Sequence, residues 1–252
     1  MMAWDSSLYL RFAEERKQPC LDLLARLEGN FNRILDLGCG PGNSTENLVE
    51  KYSEATVIGF DADDNMLQKA RKDHPDFTFV KGYAPVDFPK LNGTFDLVFS
   101  NACIHWIDRQ ETLIDEVYQL LSDHGVFAVQ IPLPDESQFY KILYRFIDEK
   151  WTKLKCEKNF HNLNPEGYYN TITKKFKTIT MWKTNYYHVV NKNMVLEWYQ
   201  GSGLRPYLAL LSEQEQTEFL HDLQQCIDKE YSLLDDNKVF LIMPRLFFTA
   251  KK

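Results

Sequence analysis

The sequence predicts an α/β fold: a mostly parallel, seven-stranded sheet with helices on both faces and a mostly helical lid. Three observations carry the prediction. Short β-rich runs alternate with helical patterns through the first half of the chain. A glycine-rich loop follows the first of those runs, and two more β-rich runs close the second half.

The first run is RILDL (33–37), which enters GCGPG (38–42) and then a helical pattern near 43–51, with Asn43, Ser44 or Thr45 at its N-terminus. TVIGF (56–60), FTFVK (77–81), FDLVF (95–99) and GVFAVQI (125–131) are the next strands, separated by helical patterns near 63–72 and 110–122. Right-handed crossovers carry the loops after such strands to one edge of the sheet, where ligands bind. Beyond Pro132 the rhythm changes. Helical stretches cover about 136–155, 165–175 and most of 192–232, around TITMWKTNYYHVV (178–190) and VFLIMPRLFFTA (239–250). The last two runs suit an edge hairpin interrupted by a helical insertion. Residues 1–252 thus read as one domain, with a core at about 30–131, 176–190 and 238–252. The lid is expected from about 1–29, 132–175 and 191–237.

Composition narrows the class. At 44% hydrophobic and 26% charged, the 252-residue chain has the balance of a soluble globular protein. No apolar run approaches the ~20 residues of a membrane span, and the N-terminal stretch, which carries acids and lacks a long apolar core, is not expected to be a signal peptide. The five cysteines (Cys20, Cys39, Cys103, Cys156, Cys226) are scattered and unpaired in spacing, as expected for free thiols in a cytoplasmic protein without a cysteine metal site. A net charge of -7 disfavours nucleic acid as a partner. Residues 141–183 nonetheless carry ten Lys or Arg against four acids, either a solvated surface or an anion-attracting region. A monomer or homodimer is expected.

The glycine loop is the functional signal. Dinucleotide enzymes use G-x-G-x-x-G with pyrophosphate at the helix N-terminus. Here Gly38, Gly40 and Gly42 are spaced G-x-G-x-G, with Asp36 just upstream. A carboxylate there is awkward for pyrophosphate but suits a cofactor carrying an amine and a sulfonium, which is S-adenosylmethionine. Asp61, ending the second strand in GFDAD, stands where an acid binds a ribose hydroxyl, or else it caps the next helix.

DLGCGPG followed by GFDAD resembles the class I S-adenosylmethionine-dependent methyltransferases. Further stretches narrow the resemblance to members that esterify a small polycarboxylic acid: WDSSLYLRFAEER (4–16), FSNACIHWI (99–107), TNYYHVV (184–190), GSGLRPYL (201–208) and MPRLFF (243–248). The resemblance implies a Rossmann-like fold, S-adenosylmethionine as cofactor and a carboxylate as methyl acceptor. Its rivals are a methyltransferase of another small acid or natural product, and a non-catalytic cofactor-binding module. One departure stands out: Tyr83 occupies the place of the acid that the family sets near adenine, and Asp87 lies too far along to replace it.

Methyl transfer to a carboxylate is an in-line displacement that needs orientation but no general base, because a carboxylate of pKa ~4 is already ionised. Cations and donors must hold the acid, and arginine offers a planar fork for the task. The resembling stretches supply Arg205, Arg245, His188, Tyr187 and, near the N-terminus, Arg11. Each has a structural alternative: helix caps or surface pairs for Arg205 and Arg245, Glu14 or Glu15 for Arg11, a packing role for His188. Asn101, His105 and Trp106 follow the fourth strand; Asn101 is expected near the methionine moiety, and the alternative is a well-packed loop with Trp106 in the core. No pattern suggests a metal or a covalent nucleophile.

Overall fold

The structure is a computed structural model and describes residues 13–155 and 160–252. Arg11 and Cys156 lie outside the described residues. The chain forms two compact units. Among the described residues, a sheet unit comprises 17–132, 160–184 and 245–252; a helical unit comprises 13–16, 133–155 and 185–244. Residues 17–29 and 160–175 therefore belong with the sheet.

In chain order the elements through the fifth strand are α1 (Ala13–Ala25), β1 (Arg33–Leu37), α2 (Asn43–Lys51), β2 (Thr56–Asp61), α3 (Asp64–Asp73), β3 (Thr78–Lys81), β4 (Phe95–Asn101), α4 (Gln110–Leu120) and β5 (Leu121–Pro132). There follow α5 (Gln138–Lys150), α6 (Pro165–Ile172), β6 (Thr178–Val190), α7 (Lys192–Gln200), α8 (Arg205–Leu208), α9 (Glu213–Glu230) and β7 (Val239–Lys251). The sheet order is β3-β2-β1-β4-β5-β7-β6. Strands β1 to β5 pair in parallel and β7 runs antiparallel to β5. Order reverses at β1, with β2 and β3 on one side and β4 and β5 on the other. That switch point opens a crevice at the strands' C-terminal ends.

The central strands carry almost unbroken apolar runs because both faces are covered. Ile34, Leu35, Leu97, Val98, Phe99, Phe127, Ala128 and Val129 are all fully buried. β6, by contrast, alternates exposed and half-buried residues, the pattern of an outer strand. β5 starts four residues earlier than its apolar run, because Leu121 pairs with Phe95 across a register shift in β4.

The helical unit has its own aromatic core. Phe139 stacks on Tyr199 with ring centroids 3.6 Å apart, and Phe146 and Trp151 meet Phe219 edge-on. Helix α9 opens with a capping box in which Ser212 and Glu215 satisfy each other's backbone donors. The basic stretch is largely paired here: Arg145 with Glu230, Lys150 with Asp222, Lys153 with Glu215 and Lys155 with Asp148. These exposed pairs contribute little stability, but they make this segment a solvated, charge-balanced surface.

Candidate functional site

The loop after β1 explains its glycines one by one. Gly38 has φ 79°, and a Cβ there would lie 2.1 Å from Cys103 Sγ, so the loop after β4 closes directly on it. Gly40 has φ 54° with nothing within 4 Å of its would-be Cβ, so its bare backbone faces open space. Gly42, at φ 96°, is the left-handed N-cap of α2. The N–H groups of Gly38 and Cys39 both donate to the Phe60 carbonyl at 2.7 and 3.2 Å, tying the loop to β2.

Asp36 is fully buried. Its Oδ2 accepts from the Ser44 and Thr45 hydroxyls, each at 2.7 Å, whereas its buried Oδ1 has no hydrogen bond. Ser44 and Thr45 thus hold this carboxylate rather than cap α2. Burial pushes the Asp36 carboxyl up to about 6, opposed by those hydroxyls and reinforced by Asp61. Asp61 accepts from Gly40 N–H at 2.9 Å and from Asp63 N–H at 2.8 Å, and burial raises its pKa too. The helix cap next door is Asp63, which accepts from Asn65 and Met66. Asp61 is therefore free of capping duty and fixed against the glycine loop.

Tyr83 is 60% exposed just beyond β3. A turn brings Asp87 back beside it: Asp87 Oδ2 accepts from Tyr83 N–H at 2.9 Å, and Asp87 N–H donates to Tyr83 O at 2.8 Å. This hydrogen bond, with Lys90, holds the Asp87 carboxyl low. An acid does reach this corner, four residues later than expected.

Asn101 ends β4 with its Oδ1 buried and without a hydrogen bond. The register aligns Asp36 with Gly59 and Phe99, Asn101 with Gln130, and Pro132 with Arg245. Since side chains alternate along a strand, Asp61, Asp36, Asn101, Gln130 and Arg245 share one face near the strands' C-terminal ends. Two more residues join this neighbourhood: Gln130, which sequence reasoning misses, and His105, which it places in the loop after β4 without a role. Gln130 is buried in β5 with its Nε2 unbonded. His105 is buried between Trp106 and Phe160, and burial together with Arg245 holds its pKa well below 6.5, leaving it neutral. Trp106 is not core: it is 43% exposed, its ring against His105 and Phe160.

The remaining candidates fall differently. Arg245 is half-buried on β7 in the sheet unit. Arg205 opens the short helix α8 in the helical unit and is half-buried. His188 is half-buried against Trp198, whereas Tyr187 is 58% exposed and meets Phe240. As successive residues of β6 they point to opposite faces of the sheet. Cys20, Cys39, Cys103 and Cys226 are free thiols, and burial pushes Cys20 up to about 12. Among the described residues no group of three His, Cys, Asp or Glu is placed to hold a metal.

A doubly wound sheet of this order, with a glycine loop after β1 and an acid closing β2, defines a Rossmann-like S-adenosylmethionine-dependent methyltransferase. The methyltransferase-domain family profile matches residues 34–125. Two curated relatives, both named trans-aconitate 2-methyltransferase, align along the whole chain. The protein of Rhizobium rhizogenes K84 is 36% identical over 261 residues, covering 100% of both chains. That of Escherichia coli IAI39 is 34% identical over 260 residues, covering 100% of this chain and 99% of its own. The chain belongs to the trans-aconitate 2-methyltransferase family. Solved structures share the fold at lower identity. The YcgJ protein of Bacillus subtilis superposes with a TM-score of 0.62 at 13% identity, covering 93% of this chain and 98% of that one. Haemonchus contortus phosphoethanolamine N-methyltransferase 2, in complex with S-adenosyl-L-methionine, gives 0.52 at 19%, covering 93% and 52%.

Proposed function

We propose that the protein uses S-adenosylmethionine to form a methyl ester on a carboxylate of trans-aconitate. The observation that carries the cofactor assignment is Asp36: a buried carboxylate with one oxygen unbonded requires a cationic or donor ligand to offset its desolvation. A cofactor bearing an ammonium and a sulfonium fits that requirement, and a pyrophosphate does not. The open backbone at Gly40 leaves room for it, and Asp61, fixed by two backbone donors, keeps lone pairs for ribose hydroxyls. Asp36, Gly38, Gly40, Gly42, Asp61, Tyr83 and Asn101 would hold the cofactor.

Bound there, S-adenosylmethionine would supply an electrophilic methyl group for an acceptor carboxylate. This chain's residues need only bind, orient and exclude water. Arg245 is proposed to grip an acceptor carboxylate. Arg205, His188, Tyr187 and Arg11 are proposed acceptor contacts on the sequence argument alone. The assignment of trans-aconitate itself rests on the full-length relatives.

A screen of di- and tricarboxylic acids with methyl-labelled cofactor tests the reading. Base-labile label, released as methanol, is expected with trans-aconitate above all other acids. Cofactor binding without transfer to any acid would reduce the protein to a binding module. Asp61→Ala should weaken cofactor binding by ~1–3 kcal/mol, through loss of charge-assisted hydrogen bonds. Unchanged affinity by titration calorimetry would remove Asp61 from the ribose role.

A further inference from the structure

A carboxylate about to be methylated has an unusual need. It must be held still, yet a full positive charge on the attacking oxygen would draw off the electron density it has to donate. Neutral donors meet both demands.

Gln130 is a neutral donor of this kind, and neutral His105 is one when its proton sits on Nδ1. Gln130 sits in the interior of β5, 1% exposed, with its Nε2 making no hydrogen bond. Its register partners are Asn101 on β4 and Phe247 on β7. Asn101 Oδ1 is an unbonded acceptor of complementary type, yet the two do not bond each other. His105 is 3% exposed with its Nδ1 likewise unbonded. Buried donors left without partners destabilise a fold, and such groups call for a reason beyond packing. The local backbone gathers them. Ala102 N–H donates to Gln130 O at 2.9 Å, so the loop bearing His105 leaves β4 over β5. His161 N–H donates to His105 O at 2.9 Å, and Asn162 Nδ2 donates at 2.6 Å to the carbonyl of Pro132, the register partner of Arg245. His105, Gln130 and Arg245 thus surround the ends of β4 and β5 within the sheet unit.

We propose that Gln130 Nε2 and His105 Nδ1 hold the attacking carboxylate of the acid, while Arg245 grips a second carboxylate of the same molecule. The proposal rests on the function proposed above. It divides the labour: the charged group binds the spectator, and the neutral groups position the nucleophile. Burial first, and Arg245 second, keep His105 in its neutral form.

The test uses binding and stability, measured apart from turnover. Titration calorimetry gives the affinity of trans-aconitate for protein saturated with S-adenosylhomocysteine, and the affinity of S-adenosylhomocysteine itself. Gln130→Leu removes the donor at similar volume. It should melt at the same or a higher temperature, bind S-adenosylhomocysteine as the wild type does, and bind trans-aconitate about 10- to 100-fold more weakly. Gln130→Glu should bind the acid more weakly still, since it sets a carboxylate against a carboxylate. Unchanged acid affinity in Gln130→Leu would overturn the proposal. A matching fall in S-adenosylhomocysteine affinity would also overturn it, by moving Gln130 to the cofactor. A lower melting temperature, repeated in the closer-shaped Gln130→Met, would make the residue structural. Wild-type protein that binds S-adenosylhomocysteine but no trans-aconitate would instead fail the functional reading, which separates the two failures.

Discussion

Asp36→Asn is expected to stabilise the fold near neutral pH while removing most of the cofactor affinity. Burial raises the Asp36 carboxyl from 3.8 to about 6, although the Thr45 and Ser44 hydroxyls favour its charged form. The folded protein therefore holds this proton more tightly than the unfolded chain. The group's contribution to stability is greatest below about pH 4, falls as pH rises through 4 to 6, and stays low above about 6. A displacement from 3.8 to about 6 corresponds to ~3 kcal/mol of lost stability at neutral pH. Asparagine keeps an oxygen for Ser44 and Thr45 and brings no charge to desolvate. The variant should exceed the wild type by up to about 3 kcal/mol at pH ~7.5, with the gap closing toward pH ~4. Denaturant melts of both proteins at both pH values measure it. Lower stability of the variant at the higher pH would mean that the protein itself already compensates the charge.

Cofactor affinity should move the opposite way. A buried anion that has lost its cationic partner, or the reverse, costs roughly 2–5 kcal/mol, so Asp36→Asn should weaken S-adenosylmethionine binding by more than tenfold. Wild-type affinity should also fall by about tenfold per pH unit below about 6, where Asp36 gains its proton, and the variant should lack that dependence. The sign reversal between stability and binding is the informative result, since a merely structural aspartate would lose both together.

The parts of this protein that were legible in sequence are those dictated by local backbone chemistry. RILDL and GCGPG mark β1 and its loop, because the positive φ at 38, 40 and 42 favours glycine, and Gly38 also has Cys103 against its backbone. Asp61 was legible by its distance from that loop; its release from capping was not, because Asp63 two residues later does that work. What escaped depended on contacts between distant segments. His105 and Trp106 sit on one short turn, and their burial is decided by Phe160 and His161, more than fifty residues on. Composition favoured burying the tryptophan, yet the histidine is inside. Gln130 was hidden in the apolar run GVFAVQI; a lone amide in a central strand was the available signal. Sequence distance argues against Asp87 beside Tyr83, and the turn between them cancels that distance.

Arg245→Ala is expected to cause the largest loss of activity among the acceptor residues. Arg245 is half-buried at the end of the row that begins at Asp61, and its charge is felt by buried His105. Removing it from a partly buried charge pair with an acceptor carboxylate should cost ~2–4 kcal/mol, roughly one and a half to three decades in kcat/KM toward trans-aconitate. S-adenosylmethionine affinity should stay near the wild-type value, because the cofactor contacts proposed here lie on β1 to β4 and the loops after them, not on β7. A monocarboxylic analogue should lose less than the tricarboxylate, since it has no second carboxylate for Arg245 to grip. Equal losses with both acids would assign Arg245 to the fold. The same variant carries an independent readout in His105. With the guanidinium gone, one of the two influences that depress its pKa disappears, so its imidazole should titrate at higher pH than in the wild type. Following that ring by NMR in the absence of any acid reports on proximity alone, and steady-state kinetics report on the grip. An activity loss in Arg245→Ala with no change at His105 would leave the grip but separate it from the neutral donors proposed beside it.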